Sequence, residues 1–370
     1  MKKILLFCFL CAALPGVTAY AASTPPAVSA ESAIVLHEES GTVLFAENAD
    51  ERLPMASTTK LMTALLAAES GKMDEEFLIE PEWTAVEGSS MFLRAGESYT
   101  LRELTEGLLL ASGNDAAEAI AHILSGSTEA FAAEMNARAA KLGLTNTHFT
   151  NPHGLSDAEH FSSARDLAAL MAAAMENSDV ADILAMRECA VHGTVYQNHN
   201  KLLGNCEGVD GGKTGYTRAA GRCLVTHCTR GGLNLICVTL ADPDDWDDHA
   251  ALYDWAYGTY TAFTLSDTES FGSVPVISGS LSAVEAGLAE PLTLCVPKTA
   301  GVTVKTALPP FIFAAVECGA PAGELCVYAD GAECARCPLV WKESAARLFE
   351  TADPFYRIHD RFSGIYYLSK

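Results

Sequence analysis

Ser57 and Lys60 stand three residues apart in the run Met55-Ala56-Ser57-Thr58-Thr59-Lys60-Leu61-Met62, directly after Pro54. Leu61, Met62, Leu65 and Leu66 recur at three- and four-residue steps, and Gly71 follows, so the spacing predicts a helix from about Ser57 to Ser70. Positions i and i+3 share a helix face, which brings the hydroxyl and the amine into reach of each other. A serine hydroxyl becomes an effective nucleophile when a base takes its proton, and a lysine can be that base only when neutral. A helix N-terminus is the unfavourable end for a cation. That end, burial and a second nearby cation all push a lysine towards neutrality. The pair therefore reads as a nucleophile and its base. A Ser-x-x-Lys spacing arises about once by chance in a chain of this length, so the reading depends on companions elsewhere.

Two further segments supply them. Ser112-Gly113-Asn114 lies where one helical pattern ends and the next begins, a hinge with two polar side chains. Taken alone it is an interhelical turn, since these residue types favour turns. Lys213-Thr214-Gly215 opens a strand-like run, and glycines at 211, 212 and 215 allow a ligand backbone to come close. Taken alone it is a glycine-rich turn with a solvated lysine.

The elements that must position these residues are legible in outline. Residues 33–47 read as two strands about Glu38-Glu39-Ser40-Gly41. Thr100-Leu101-Arg102-Glu103 is a capping box that opens a helix with Leu101, Leu104 and Leu108 on one face. Alanine-rich helical patterns follow through Asp115–Leu124, Glu129–Leu142 and Ser163–Met175. Residues 222–240 then form two strand-like runs around Arg230-Gly231-Gly232, and a helix pattern spans about Asp248–Tyr257. Strands at both ends and helices between predict an α/β sandwich of one sheet with a helical block, its cleft between them. From about residue 265 to Trp341, short β-like runs separated by Gly, Pro and Asp predict a small all-β domain. Residues 342–370 regain a helical and aromatic character.

Charge and the chain ends narrow the function further. The N-terminus has Lys2 and Lys3, an apolar run, and Ala19-Tyr20-Ala21, the pattern of a secretory signal peptide cleaved before Ala22. Removing residues 1–21 leaves 22 basic against 47 acidic residues, a net charge of −25, which argues against nucleic-acid partners. No later run is apolar and long enough to span a bilayer. Ten cysteines follow the leader, several in apolar strand-like runs such as Leu235-Ile236-Cys237-Val238. Cys334 and Cys337 form a C-x-x-C without a second one or a histidine pair, so packed thiols or one or two disulfides fit better than zinc.

Ser-x-x-Lys, Ser-x-Asn and Lys-Thr-Gly, in this order and behind a leader, are the motif set of serine β-lactamases and penicillin-binding proteins. The chain resembles the low-molecular-mass penicillin-binding proteins of the D-alanyl-D-alanine carboxypeptidase type. Similar segments include PMASTTKLMTALLA, LLLASGNDAA, FTNPHGL, FSSARDLA, GVDGGKTGYT and, in the β-rich part, APAGELCVYADG. The resemblance implies a carboxypeptidase domain over residues 22–262 and a β-rich domain over residues 265–341. It also implies a Ser57 acyl-enzyme formed from the terminal D-alanyl-D-alanine of peptidoglycan stem peptides, with Lys60 as base. Ser112 would relay a proton to the departing D-alanine, and Asn114 would hold the peptide and orient Lys60. Lys213 and Thr214 would bind the terminal carboxylate, with the peptide added as a strand beside Gly215. The backbone N–H groups of Ser57 and Tyr216 would form the oxyanion hole. β-Lactams would acylate the same serine, and neither metal nor cofactor is called for. Asp210, His153 and Arg165 would be structural: a turn partner, a loop anchor under the cleft and a helix-start residue.

One departure stands out. Related enzymes commonly carry an arginine after the second strand of this region to bind the carboxylate, and here that stretch is Asp242-Pro243-Asp244-Asp245-Trp246-Asp247-Asp248. Either Arg218 or Arg222 substitutes, or Lys213 and Thr214 act without an arginine. This leaves D,D-endopeptidase or transpeptidase activity as alternatives, beside a non-catalytic peptidoglycan-binding role. A β-lactamase is disfavoured, since no Glu-x-x-Leu-Asn segment occurs. The resemblance also implies peripheral contact of the tail with the outer membrane face: Phe349, Phe355, Tyr356, Phe362, Tyr366 and Tyr367 supply apolar surface beside Arg347, Arg357, Arg361 and Lys370. Pro354 and the acids Glu350, Asp353 and Asp360 oppose that anchor, and packing on the β domain is the competing fate.

Overall fold

The computed structural model describes residues 24–348; the leader and the aromatic part of the tail lie outside the described residues. The chain divides into two compact units between Ala262 and Phe263.

The first unit is built on an antiparallel sheet. Its strands are β1 (Ser32–His37), β2 (Val43–Glu47), β3 (Val209–Thr217), β4 (Gly221–Arg230) and β5 (Leu233–Leu240), in the order β2-β1-β5-β4-β3. The N-terminal hairpin thus joins strands two hundred residues later, because β1 and β5 pair along their lengths from Ser32↔Leu240 to His37↔Leu235. β3, which carries Lys213-Thr214-Gly215, is left at an edge. Strand alternation sends Ile34, Leu36, Val225, Ile236 and Val238 into one core with the helical block. On the other face Thr226 and Thr239 meet His249 and Tyr253 of the closing helix.

Among the described residues seven α-helices complete the unit: α1 (Lys60–Glu69), α2 (Leu101–Leu110), α3 (Asn114–Ser125), α4 (Thr128–Leu142), α5 (Ala164–Glu176), α6 (Ser178–Ala185) and α7 (Asp245–Thr259). α1 is buried on nearly every side, as its run of Leu, Met and Ala demands. α2 begins at the Thr100–Glu103 capping box, and Ser127 and Ser163 cap α4 and α5 through their side chains.

Local differences from the sequence reading have physical causes. Ser57 lies in a 3-10 turn, Ala56–Thr59, and the α-helix proper starts at Lys60. Asp210 is not in a turn: it sits at a bulge in β3, where the register against β4 slips between Val209 and Gly211. Its carboxylate accepts from Thr229 Oγ1 at 3.0 Å and holds the buried His227.

The second unit is β-rich. Its six-stranded sheet runs Val302–Ala307, Pro321–Ala329, Ala332–Trp341, Ala283–Gly287, Gly272–Ile277 and Ile312–Phe313. Val274, Val284, Leu325, Val327, Leu339 and Trp341 form its core. Residues 342–348 are not helical: Ala345 bridges to Val316 and Arg347 to Gly279. All ten described cysteines are free thiols; Cys223, Cys228, Cys237, Cys295 and Cys337 are buried, whereas Cys318 and Cys334 are exposed.

Candidate active site

Lys60 and Lys213 are fully buried, at 0% and 1% exposure, and they organise the site. Lys60 Nζ lies 2.9 Å from Ser57 Oγ, 2.7 Å from Asn114 Oδ1 and 2.6 Å from the His153 carbonyl oxygen. These three neighbours are uncharged. The amine donates to all three acceptors, none of which supplies a negative charge to hold it protonated. Burial drives the Lys60 pKa well below its ordinary 10.5, and the Lys213 cation adds to the shift, against a smaller opposing pull from Asp115. Lys213 is itself lowered to about 7 by burial.

Lys213 Nζ donates to Ser112 Oγ at 3.1 Å and to the Thr214 carbonyl at 2.8 Å. Ser112 has φ +57°, a left-handed backbone that a serine adopts at a cost of about 1–2 kcal/mol. That bend closes the end of α2 and turns the hydroxyl towards Lys213. Asn114 is the first residue of α3. Its Nδ2 donates to the Glu87 carbonyl at 2.6 Å, which leaves Oδ1 for Lys60. A side chain at Gly88 would lie 2.8 Å from that Nδ2, so the loop over Asn114 needs glycine there.

β3 closes the other wall. A Cβ at Gly215 would lie 3.0 Å from Ser57 N and 3.0 Å from Met55 O, so strand and 3-10 turn are in backbone contact. Thr214 is half-buried and Tyr216 is 69% exposed, the next residue along the edge strand. The Ser57 and Tyr216 backbones therefore flank one short stretch of cleft.

Several supporting residues were not singled out from sequence. Asp115 ties the loop over α3 by accepting from Ser90 Oγ, Met91 N and Leu93 N at 2.6–2.9 Å. Glu118 bonds His153 Nε2 at 3.1 Å, while His153 Nδ1 accepts from Leu155 N. The ring thus holds its loop, and the His153 carbonyl is what meets Lys60. Glu118 follows Asn114 by four residues, a same-face spacing that could have flagged it. Gly154 is required as well: a Cβ there would sit 1.9 Å from Ala56 O, at φ +88°. Arg165 pairs with Asp50 at 2.7 Å at the start of α5.

The acidic stretch after β5 is largely used up internally. Asp242 accepts from Ser29 Oγ at 2.7 Å and from Asp244 N at 3.0 Å, and Asp248 accepts from Ser29 N at 2.6 Å. Asp245 pairs with Arg222, whose guanidinium also stacks over Trp246 at 5.5 Å. Three acids in the first turn of α7 suit the positive end of that helix. Of the two substitute arginines, Arg222 is thus engaged, and Arg218 stands exposed in the turn after β3. Among the described residues no cluster of metal-ligating side chains occurs.

The chain is similar to known proteins in sequence and in fold. The family model described as D-alanyl-D-alanine carboxypeptidase, peptidase S11, matches residues 19–244. The chain is 32% identical over 331 residues to D-alanyl-D-alanine carboxypeptidase DacF of Bacillus subtilis, covering 85% of each chain. It is 35% identical over 290 residues to DacA of Escherichia coli, covering 74% of this chain and 72% of the relative. Among solved structures, penicillin-binding protein 5 of Haemophilus influenzae superposes with a TM-score of 0.78 at 28% identity, covering 87% of this chain and 99% of that one. The chain belongs to the S11 peptidases, the D-alanyl-D-alanine carboxypeptidase family.

Proposed function

We propose that this serine D-alanyl-D-alanine carboxypeptidase works through Ser57 as nucleophile and Lys60 as its base. The observation that carries the assignment is the fully buried Lys60 amine, held by neutral groups 2.9 Å from Ser57 Oγ. Ser57 Oγ attacks the carbonyl of the penultimate D-alanine while Lys60 Nζ takes its proton. The oxyanion that forms is held by the backbone N–H groups of Ser57 and Tyr216. The C–N bond then breaks, and Ser112, bridging to Lys213, passes a proton to the leaving amine. Water hydrolyses the ester by the reverse sequence. Lys213 and Thr214 bind the terminal carboxylate, and Arg218, exposed in the turn after β3, is the arginine left free to assist them. Asn114 orients Lys60 and holds the peptide. A β-lactam acylates the same serine.

The natural substrate in this reading is the peptidoglycan stem pentapeptide outside the cell. The leader over residues 1–21 supports export, residues 22–262 carry the chemistry, and the aromatic and basic tail supports contact with the outer membrane face. The test is D-alanine release from a synthetic stem pentapeptide. Wild-type protein releases one D-alanine per peptide, and Ser57→Ala releases none; release by Ser57→Ala at the wild-type rate would defeat the assignment.

A further inference from the structure

The β-rich unit carries an exposed apolar patch on the outer side of its sheet. Along the strand Gly272–Ile277, Val274 and Val276 point into the core, so Pro275 and Ile277 point out. The edge strand Ile312–Phe313 runs parallel to it and sets Phe313 beside Ile277. Ile312 packs towards the core, and Phe311 meets the Phe313 ring edge-on at 5.6 Å. Ile277, Leu281, Phe311, Phe313 and Leu348 are between 36% and 59% exposed. Neither residues 274–284 nor residues 307–316 include a charged side chain, in a chain with 47 acidic and 24 basic residues. An uncharged aromatic patch on so acidic a protein marks a surface that something covers.

The chain itself leads to the patch. Residues 346–348 run antiparallel to residues 278–280: Ser280 N donates to the Ala346 carbonyl at 2.8 Å, and Leu348 N to the Ser278 carbonyl at 3.0 Å. Continued by one residue, this register brings Phe349 to the Ile277 end of the patch. Residues 349–356 read Phe-Glu-Thr-Ala-Asp-Pro-Phe-Tyr, and they lie outside the described residues. Strand spacings set Phe311 within about 20 Å of Leu348, and eight extended residues reach about 26 Å. A tether this short gives an effective concentration on the order of a millimolar, well above that of a second copy in solution. Charge disfavours an anionic lipid surface for this segment, since Glu350 and Asp353 are its only charged side chains.

We propose that residues 349–356 fold back over this patch, with Phe349, Phe355 and Tyr356 packed on Ile277, Phe311 and Phe313. Residues 357–370, in which Arg357, Arg361 and Lys370 outnumber Asp360, are left for the membrane face. The inference is independent of the acyl-transfer chemistry.

The test is hydrogen–deuterium exchange of residues 22–370 as a monomer without lipid, read on peptides that span 349–356. The expected protection over the free synthetic peptide is about tenfold to a hundredfold, the range for burying a large apolar side chain. Phe311→Ser in the patch and Phe355→Ser in the segment should each return exchange to within about threefold of the peptide. The double variant should add nothing, because the two side chains act through one contact. Unchanged exchange in the strands Pro321–Ala329 and Ala332–Trp341 shows that the β-rich unit stays folded in these variants. Exchange at the peptide rate in the wild-type chain overturns the proposal, as does protection that survives Phe311→Ser. Protection seen only with phosphatidylglycerol vesicles assigns the segment to lipid, and protection seen only where sedimentation shows a dimer assigns it to a second copy; either result overturns the proposal.

Discussion

Gly215→Ala tests how closely the strand and the nucleophile's turn are matched. The added Cβ would lie 3.0 Å from Ser57 N, 3.0 Å from Met55 O and 3.1 Å from Ala56 Cβ. Ordinary contact for a Cβ begins near 3.4 Å, so the two backbones must part by about half an ångström. The turn has little room to yield, because Met55 and Ala56 are buried and β3 is held by its register with β4 at Gly215↔Cys223. Overpacking of this kind costs about 1–3 kcal/mol of stability. A displacement of about 1 Å in a reacting geometry costs about a hundredfold in rate, so half of that corresponds to roughly tenfold. The prediction is a second-order penicillin acylation rate lowered about ten- to a hundredfold, with a Tm only a few degrees down. Fluorescent-penicillin stopped flow measures the rate and calorimetry the Tm. Gly258→Ala is the control: nothing lies within 4 Å of its added Cβ in α7, and the change should stabilise by about 0.5–1 kcal/mol without touching acylation. Acylation by Gly215→Ala within twofold of wild type would refute the close contact.

Lys60→Arg should fold less stably and lose acylation by about a hundredfold or more, because arginine stays protonated; near-normal acylation would rule out the base role. Lys213→Ala should lower kcat/KM far more for carboxylate-terminated peptides than for matched esters; equal losses would show that Lys213 serves the chemistry instead. Acylation should rise as pH rises through the depressed Lys60 pKa, since the neutral amine is the active form; a rate that falls over that range contradicts the assignment. His227 is buried, which lowers its pKa, but hydrogen bonds to Asp210 and Glu38 outweigh this and raise it to about 9. A raised pKa gives stability that is whole below the unfolded value near 6.5 and is lost as pH climbs through about 9. His227→Gln should therefore remove about 2–3 kcal/mol at pH 6 and much less at pH 10, read by urea denaturation.

The site was legible in sequence to the extent that its parts are local. Ser57 and Lys60 are one turn apart, so their contact follows from helix geometry even though the turn is 3-10. That Asn114 Oδ1 and the His153 carbonyl complete the Lys60 shell depends on chain folding across 54 and 93 residues, which no spacing shows. The strand pairs at 222–240 and the capping box at Thr100 were plain, because alternation and side-chain caps are local signals. Asp210 was expected as a turn partner from the family-like segment that holds it, whereas pairing with the neighbouring strand makes it a bulge. The acidic stretch after β5 looked hostile to a carboxylate ligand. Only the fold shows Asp242, Asp245 and Asp248 paired with Ser29 and Arg222.

The most direct test of the account is peptide mapping of the protein after a short exposure to penicillin. The account predicts one penicilloyl group per chain, carried by the peptide that contains Ser57, and none on Ser57→Ala. An adduct on another residue, or an unmodified wild-type chain, would contradict it.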